Sequence, residues 1–289
     1  MMKFFLAAIL LAFAETYVTA VVRNCIRIRS KNYEREYLLS DVDSPYQLAI
    51  DHDTNTLFFS YTSRTDEMFK SAYFSLKTGR YGIVRGIRGG FANAVDSNTV
   101  YMGGEDGIYT YDYVTKTASN SHIKDNVNIW QLFYKDGLYF TTYPEEVAYF
   151  YKDNKVVEVP ALQNIKVMLV AVTNERDLLY FNSSGIFLYS RNDDTYNFLN
   201  DVTANGVTSD MNGNIYISSP SGIYYFSDET KDIEHLVKIN DVYGIAVETD
   251  GKIIYASEKS IIRLIPAKGN CGAILNIDKK ELEIDVGKI

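Results

Sequence analysis

The chain has 289 residues, a formal net charge of −8 and an aromatic content of 14%, made up of 24 Tyr, 15 Phe and 1 Trp. The negative charge disfavours nucleic acid or an anionic membrane surface as the main partner, because both require clustered Lys and Arg. Many aromatic and β-branched residues, together with only 5 Pro, predict an all-β fold. We expect an acidic, soluble monomer.

Residues 1–20 have the pattern of a secretory signal peptide. Lys3 supplies the positive charge, and an apolar stretch of about eleven residues, Phe4–Ala14, follows it, whereas a membrane span needs about twenty. Small-residue cleavage sites end at Ala14 and at Ala20. We favour Ala20, because the segment between the two sites has no evident role in the fold; an uncleaved anchor is the alternative. The sequence therefore predicts secretion, and no later segment is apolar enough for a membrane.

The mature chain, residues 21–289, is predicted to form one domain. Its only cysteines are Cys25 and Cys271, which lie near its two ends. In an oxidising compartment such cysteines are expected to form a disulfide that fastens the ends together. Two buried free thiols are the alternative. A metal site is disfavoured, because two Cys and three scattered His give no ligand spacing.

A pattern of about forty residues repeats six times after residue 45. Each copy has a short apolar run, a turn and a second strand rich in β-branched and aromatic residues. The aligned first runs are separated by 45, 38, 39, 36 and 39 residues. Such periods, with several strands per unit, indicate a six-bladed β-propeller. The superposed residues are Ala49, Ala94, Leu132, Ala171, Val207 and Ala246.

The sixth copy contains only three predicted strands, which would leave an open sheet edge. The segment Arg35–Val42, before the first copy, has the alternation and length of a strand. We predict that it completes the last blade and closes the ring. Residues after Lys268 are predicted to be a tail outside the blades.

A glycosylation sequon, Asn182-Ser183-Ser184, falls in a predicted turn between two strands. Exposed turns are where glycans are added, so we predict that Asn182 carries one.

The sequence offers little support for catalysis. None of His52, His122 and His235 has a Ser or Cys at motif spacing, and there is no Gly-x-Ser-x-Gly elbow. We predict no catalytic residue, no metal and no cofactor.

One mouth of the propeller is the predicted binding site. The loops that enter the inner strands and the loops between second and third strands meet there, and they carry several aromatic residues and two Arg. Flat aromatic faces and Arg forks suit a planar organic ligand with a carboxylate. The alternative is that the aromatic residues plug the channel. The predicted site residues are Tyr46, Arg64, Arg88, Phe91, Asn93, Trp130, Tyr143, Asn205 and Tyr243.

A rival function is a calcium-dependent lactonase or esterase. The stretch from Asn205 to Tyr216 resembles the blade pattern of the gluconolactonase and paraoxonase group, in which Asn, Asp and Glu at the inner strand tops ligate calcium. Asn93, Asn128 and Asn205 occupy comparable positions here. Carboxylates are scarce among the predicted inner positions, and neutral amides alone bind a hard dication weakly. A propeller that only docks protein partners on its rim is a third possibility.

Several segments resemble the insect ommochrome-binding proteins, over essentially the whole mature chain. The similarity lies in overall texture and not in a short diagnostic motif. The segments are Met2–Leu6, Gln47–Asp51, Leu57–Tyr61 and Gly103–Tyr109, together with the two terminal cysteines.

The resemblance implies a secreted haemolymph protein that binds an ommochrome, a phenoxazinone pigment made from tryptophan, without catalysis. Such pigments are flat and conjugated and bear amino-acid side chains, which suits the predicted mouth. We therefore expect Trp130, Phe91, Tyr46 and Tyr243 to stack on the pigment, and Arg88 or Arg64 to meet its carboxylate.

Overall fold

Six antiparallel β-sheets form a closed ring in the computed structural model, which describes residues 25–97, 99–268 and 271. The inner strand of each sheet contacts the inner strand of the next, and the last contacts the first. This arrangement confirms the predicted six-bladed β-propeller. The predicted signal peptide, residues 1–20, and the predicted tail, apart from Cys271, lie outside the described residues.

The strands follow the repeats of the sequence. The first two strands, β1 (Ile26–Ile28) and β2 (Lys31–Ser40), belong to the last blade, whereas blades one to five each contain four consecutive strands. Blade one comprises β3 (Tyr46–Asp51), β4 (Thr56–Thr62), β5 (Phe69–Ser75) and β6 (Tyr81–Ile83). Blade two comprises β7 (Ala92–Val95), β8 (Val100–Gly104), β9 (Gly107–Asp112) and β10 (Thr117–Asp125). Blade three comprises β11 (Asn128–Tyr134), β12 (Leu138–Tyr143), β13 (Ala148–Lys152) and β14 (Lys155–Glu158).

The second half of the ring continues in the same way after a 3-10 turn, Pro160–Leu162. Blade four comprises β15 (Leu169–Val172), β16 (Leu178–Asn182), β17 (Gly185–Ser190) and β18 (Thr195–Asn200). Blade five comprises β19 (Gly206–Ser209), β20 (Ile215–Ser219), β21 (Gly222–Ser227) and β22 (Asp232–Val237). Blade six supplies β23 (Gly244–Val247), β24 (Ile253–Ser257) and β25 (Ser260–Pro266). Within the described ranges, no helix has the length and apolar character that a membrane crossing requires.

The ring closes as predicted, by a strand from the start of the chain. Strand β2 pairs with β25 from Tyr33 opposite Pro266 to Ser40 opposite Ser260. The strand begins four residues earlier than the predicted Arg35. Strand β1 then pairs with β2 and gives blade six a fifth strand, which the sequence pattern did not predict because three residues are too few to show alternation.

The predicted disulfide is confirmed and lies beside this closure. Cys25 and Cys271 are bonded, with their Cα atoms 5.9 Å apart and a sequence separation of 246. Cys25 directly precedes β1 and Cys271 follows β25, and β2 lies between these two strands. The bond therefore joins the two strands that hold the closing strand in place.

The core lies between the blades. Large side chains from the second and third strands fill these interfaces, and Phe58, Phe140, Phe226 and Tyr255 are each almost completely buried. The inner strands carry small residues where neighbours converge, such as Ala246, which packs in one cluster with residues of blade one. Burial of apolar surface at every blade interface is the main stabilising term of such a fold.

Tyrosine burial predicts a loss of stability at alkaline pH. Burial is the main cause that raises the pKa values of Tyr109, Tyr134 and Tyr216 to about 12. Tyrosine in an unfolded chain titrates near pH 10. The stability that these groups contribute is therefore complete below about pH 10 and is lost as the pH rises toward about 12. We expect the melting temperature to fall progressively above about pH 10, and the ultraviolet titration to show late-ionising phenols. Identical titration curves for native and denatured protein would contradict this.

Candidate functional site

Five aromatic side chains form a continuous row at one mouth of the propeller. Ring centroids are 5.2 Å apart between Tyr243 and Tyr46, 5.8 Å between Tyr46 and Phe91, 4.7 Å between Phe91 and Trp130, and 5.2 Å between Trp130 and Tyr143. The row runs through blades six, one, two and three. All five residues belong to the predicted site, and the structure brings them together. We call this row, Tyr243, Tyr46, Phe91, Trp130 and Tyr143, the aromatic rim.

The rim follows from where these residues lie on their strands. Tyr46 begins β3, Trp130 lies near the start of β11, and Tyr243 and Phe91 directly precede β23 and β7. Because inner strands of neighbouring blades run side by side, residues at the same height come into contact. Tyr143 ends β12 and reaches the same mouth from the second strand of blade three.

Two β-bulges orient rim residues. The register of β3 shifts between Tyr46 and Ala49, and that of β11 shifts between Ile129 and Gln131, on either side of Trp130. A bulge redirects a side chain that a regular strand would send to the other face. These bulges therefore help to orient Tyr46 and Trp130, two of the five residues of the rim.

The rim is partly open to solvent. Tyr143 is 48% exposed, whereas Phe91 is only 6% exposed because rings flank it on both sides. Tyr46, Trp130 and Tyr243 are half-buried. Burial raises the pKa of Tyr243, with Tyr46 and nearby acids adding to the effect, so its hydroxyl remains a hydrogen-bond donor at neutral pH.

The sequence-based prediction missed one aromatic residue, Phe69. Its ring lies 4.6 Å from Phe91 and 6.3 Å from Tyr46, so it supports the rim from the first residue of β5. The signal was present, since the connection between second and third strands was expected to reach this mouth. Only Arg64 was chosen from that connection in blade one.

Both predicted Arg residues are engaged in ion pairs. Arg88 lies 3.0 Å from Glu105, and Arg64 pairs with Asp43. The hydrogen bond from Arg64 is the largest cause that lowers the pKa of Asp43. Exposed ion pairs contribute little to stability, so a ligand carboxylate can compete for either Arg at small cost.

Arg64 also lines a second feature, a largely apolar groove of about 390 Å³ between blades six and one. Leu39 of β2 and Tyr61 of β4 lie on its two sides. Arg64 is therefore placed at the edge of the mouth, near the junction where the ring closes.

The two predicted Asn residues bond to the main chain of neighbouring blades. Asn93 Nδ2 donates to the carbonyl of Gln47 at 2.9 Å, and Asn205 Nδ2 donates to the carbonyl of Val242 at 2.9 Å. Gln131 connects blades three and four in the same way, through Val170. Each of these amides holds one blade against the next.

This geometry predicts a modest stability cost for Asn205→Ala. Loss of one hydrogen bond between blades five and six should lower the free energy of unfolding by about 1 kcal/mol. Denaturant titration measures the change. The matched control is Asn197→Ala on the outer strand β18, where the side chain is exposed and the change should be close to zero. Equal values for the two variants would contradict the role of Asn205.

Two further predictions concern the glycosylation sequon and the metal. Asn182 ends β16, and its Oδ1 accepts a hydrogen bond from the main-chain N–H of Ser184, so the sequon lies in the predicted turn. In the part of the chain that the structure describes, no group of three or more His, Cys, Asp or Glu lies close enough to hold a metal ion.

Several solved structures have a fold similar to that of this chain. A gluconolactonase from Xanthomonas campestris has a TM-score of 0.67, at 13% identity, over 87% of this chain and 94% of that one. A putative gluconolactonase has a TM-score of 0.65, at 10% identity, over 81% and 92% of the two chains. A luciferin-regenerating enzyme has a TM-score of 0.59, at 15% identity, over 80% and 95%. At these identities the likeness shows the fold alone.

Together the fold and these neighbours define a six-bladed β-propeller protein. No protein-family model matches the chain. An ommochrome-binding protein from Manduca sexta is 37% identical over 259 residues, which cover 86% of this chain and 93% of that protein. The chain therefore belongs to the ommochrome-binding protein family, as the sequence resemblance implied.

Proposed function

We propose that this protein is a secreted carrier that binds an ommochrome pigment non-covalently at the aromatic rim. The observation that carries the proposal is the uninterrupted row of five rings, from Tyr243 to Tyr143, in a chain 37% identical to an ommochrome-binding protein. Aromatic faces spaced in this way offer a broad stacking surface for a flat conjugated ligand. The disulfide is typical of proteins that fold in an oxidising compartment, which supports secretion.

The opposite side of the same mouth supplies polar groups. Blades four and five place Lys166 and Asn205 at the corresponding positions, beside the apolar Met168, and Lys166 pairs with Glu146 at 3.5 Å. Arg88 lies next to the aromatic half, near Phe91 in sequence. A planar pigment that stacks on the rim would therefore have basic side chains on both flanks, which suits a ligand with carboxylates.

A binding role fits the inner amides better than calcium-dependent hydrolysis. Asn93 and Asn205 direct their Nδ2 groups to main-chain carbonyls of a neighbouring blade, so these residues have a structural task at the positions where lactonases place metal ligands. An assay of lactone hydrolysis with added calcium separates the two functions. We expect no turnover above that of a denatured sample.

The direct test uses the only tryptophan as a reporter. Trp130 lies in the middle of the rim, so a bound phenoxazinone ommochrome should quench its fluorescence with a one-to-one end point. The pigment's visible absorption should shift over the same titration. If binding changes the pigment spectrum without quenching the fluorescence of Trp130, the binding site does not lie at the aromatic rim.

A further inference from the structure

A second cavity lies on the propeller axis, at the other end of the inner strands from the aromatic rim. It has a volume of about 170 Å³, and an adjoining recess of about 240 Å³ shares Ile50, His52 and Met211 with it. We call the cavity and its recess together the axial cavity. Its walls come from β3, β7, β11, β19 and β23, and they include Leu48, Leu132 and Phe133. Apolar side chains therefore share the walls with polar groups.

One buried polar atom in the axial cavity has no partner. Asn93 is 4% exposed and lines the cavity. Its Nδ2 donates to the carbonyl of Gln47, which fixes the orientation of the amide, and its Oδ1 is buried with no hydrogen-bond partner. Buried polar atoms in folded proteins nearly always have a partner. Asn93 Oδ1 is therefore an unsatisfied acceptor in the wall of the cavity, and an N–H or O–H group that reached it would supply the missing hydrogen bond.

Carboxylates surround the opening. They come from the turns that follow the inner strands, and neutral groups hold two of them: Asp51 accepts from Thr54 and Tyr113, and Asp210 accepts from Asn214. A neutral donor fixes a carboxylate without cancelling its charge. The carboxylates that line the axial cavity are Asp51, Asp53, Asp96 and Asp210.

Positive charge does not offset these groups within the lining. None of the described residues that line the axial cavity is Lys or Arg. His52 lines it, and burial lowers the pKa of His52 despite the opposing effect of Asp51, Asp53 and Glu248, while Thr249 meets its Nδ1 at 3.1 Å. The imidazole is therefore mostly neutral near pH 7, and the opening has an excess of negative charge.

We propose that the axial cavity binds a small organic cation that carries a primary ammonium group. The ammonium donates to Asn93 Oδ1, and the surrounding carboxylates attract its charge. The alkyl or aryl part of the ligand packs on the apolar side chains of the walls, and Tyr134 lines the recess near the opening. Metal binding fits less well, because no group of metal-ligating side chains is assembled within the described residues.

The test is calorimetric titration of the full protein at low salt with phenethylammonium chloride as the probe. We expect one site per chain, and no binding of 3-phenylpropionate, which has a similar shape and the opposite charge. Tetramethylammonium, which has no N–H, should bind at least tenfold more weakly. Equal binding of phenylpropionate, or a response to calcium chloride alone, would overturn the proposal. If phenethylammonium gives no heat of binding, the cavity holds water only, and the proposal is also overturned.

Two variants locate the site. Asn93→Leu removes the acceptor and should weaken phenethylammonium binding about tenfold. The double variant Asp53→Asn and Asp210→Asn removes two of the four carboxylates and should weaken it about fivefold. Its matched control, Asp153→Asn with Asp193→Asn, removes two exposed carboxylates from outer turns on the same face and should leave binding unchanged. If Asn93→Leu does not fold, the two double variants still test the proposal. Equal affinities of these two variants for phenethylammonium would overturn it.

Discussion

Loss of the bond between Cys25 and Cys271 should lower the free energy of unfolding by about 2–5 kcal/mol. The bond closes a loop of nearly the whole chain, because the two cysteines have a sequence separation of 246, and such a loop restricts the unfolded chain strongly. It also joins β1 and β25, which hold the closing strand β2 between them. The measurement is denaturant unfolding of Cys25→Ser, Cys271→Ser and the double variant.

The controls compare different ways of removing the same disulfide. All three variants should be destabilised equally, and wild-type protein under reductant should match them. Denatured, unreduced wild-type protein should contain no free thiol, because the chain has only two cysteines. Two reactive thiols in that sample, or a double variant as stable as wild type, would show that the bond does not stabilise the ring.

Replacement of Trp130 by Ala should weaken pigment binding by about 1–3 kcal/mol, or about 5- to 150-fold in Kd. Trp130 contacts Phe91 on one side and Tyr143 on the other, so its loss interrupts the aromatic rim at its centre. A flat ligand would lose both a stacking partner and the continuity of the surface. Titration followed by the visible absorption of the pigment measures the change without the fluorescence of Trp130.

Two further variants separate binding from stability. Trp130→Phe keeps an aromatic face and should retain most of the affinity. Phe198→Ala removes an aromatic side chain of 58% exposure from β18, on the outside of blade four, and should bind pigment as wild type does. The rim assignment is wrong if Trp130→Ala and Phe198→Ala have the same affinity.

The fold could be predicted because its signals are local and repeated. A blade needs an apolar inner strand, a tight turn and further strands, and this pattern recurs at every copy from Ala49 to Ala246. The sixth copy contains only three predicted strands, and this shortage indicated that the strand near Arg35 completes the last blade. Because the two cysteines lie near the two ends of the chain, a disulfide between them could be predicted to fasten the closed ring. These features depend on sequence order, which the chain displays directly.

Some members of the candidate site could also be predicted, because loop position alone assigns them to one mouth. Tyr46, Phe91, Trp130, Tyr143 and Tyr243 meet there in the structure. Their mutual contacts could not be predicted, because they depend on bulges that turn individual side chains.

Contacts between blades were decided only by the tertiary structure. Asn93 bonds to Gln47, a residue of the preceding blade, and leaves its Oδ1 without a partner, and Gln131 bonds to Val170 of the following blade. Such partners lie some distance apart in sequence, and no periodic pattern marks them. The amino-acid order therefore determined the blades, their number and the closure of the ring, since each follows from alternation and spacing along one strand or turn. The stacking of the rim, the pairing of its charges and the axial cavity arise where neighbouring sheets converge on the axis, and the relative orientation of those sheets fixed them.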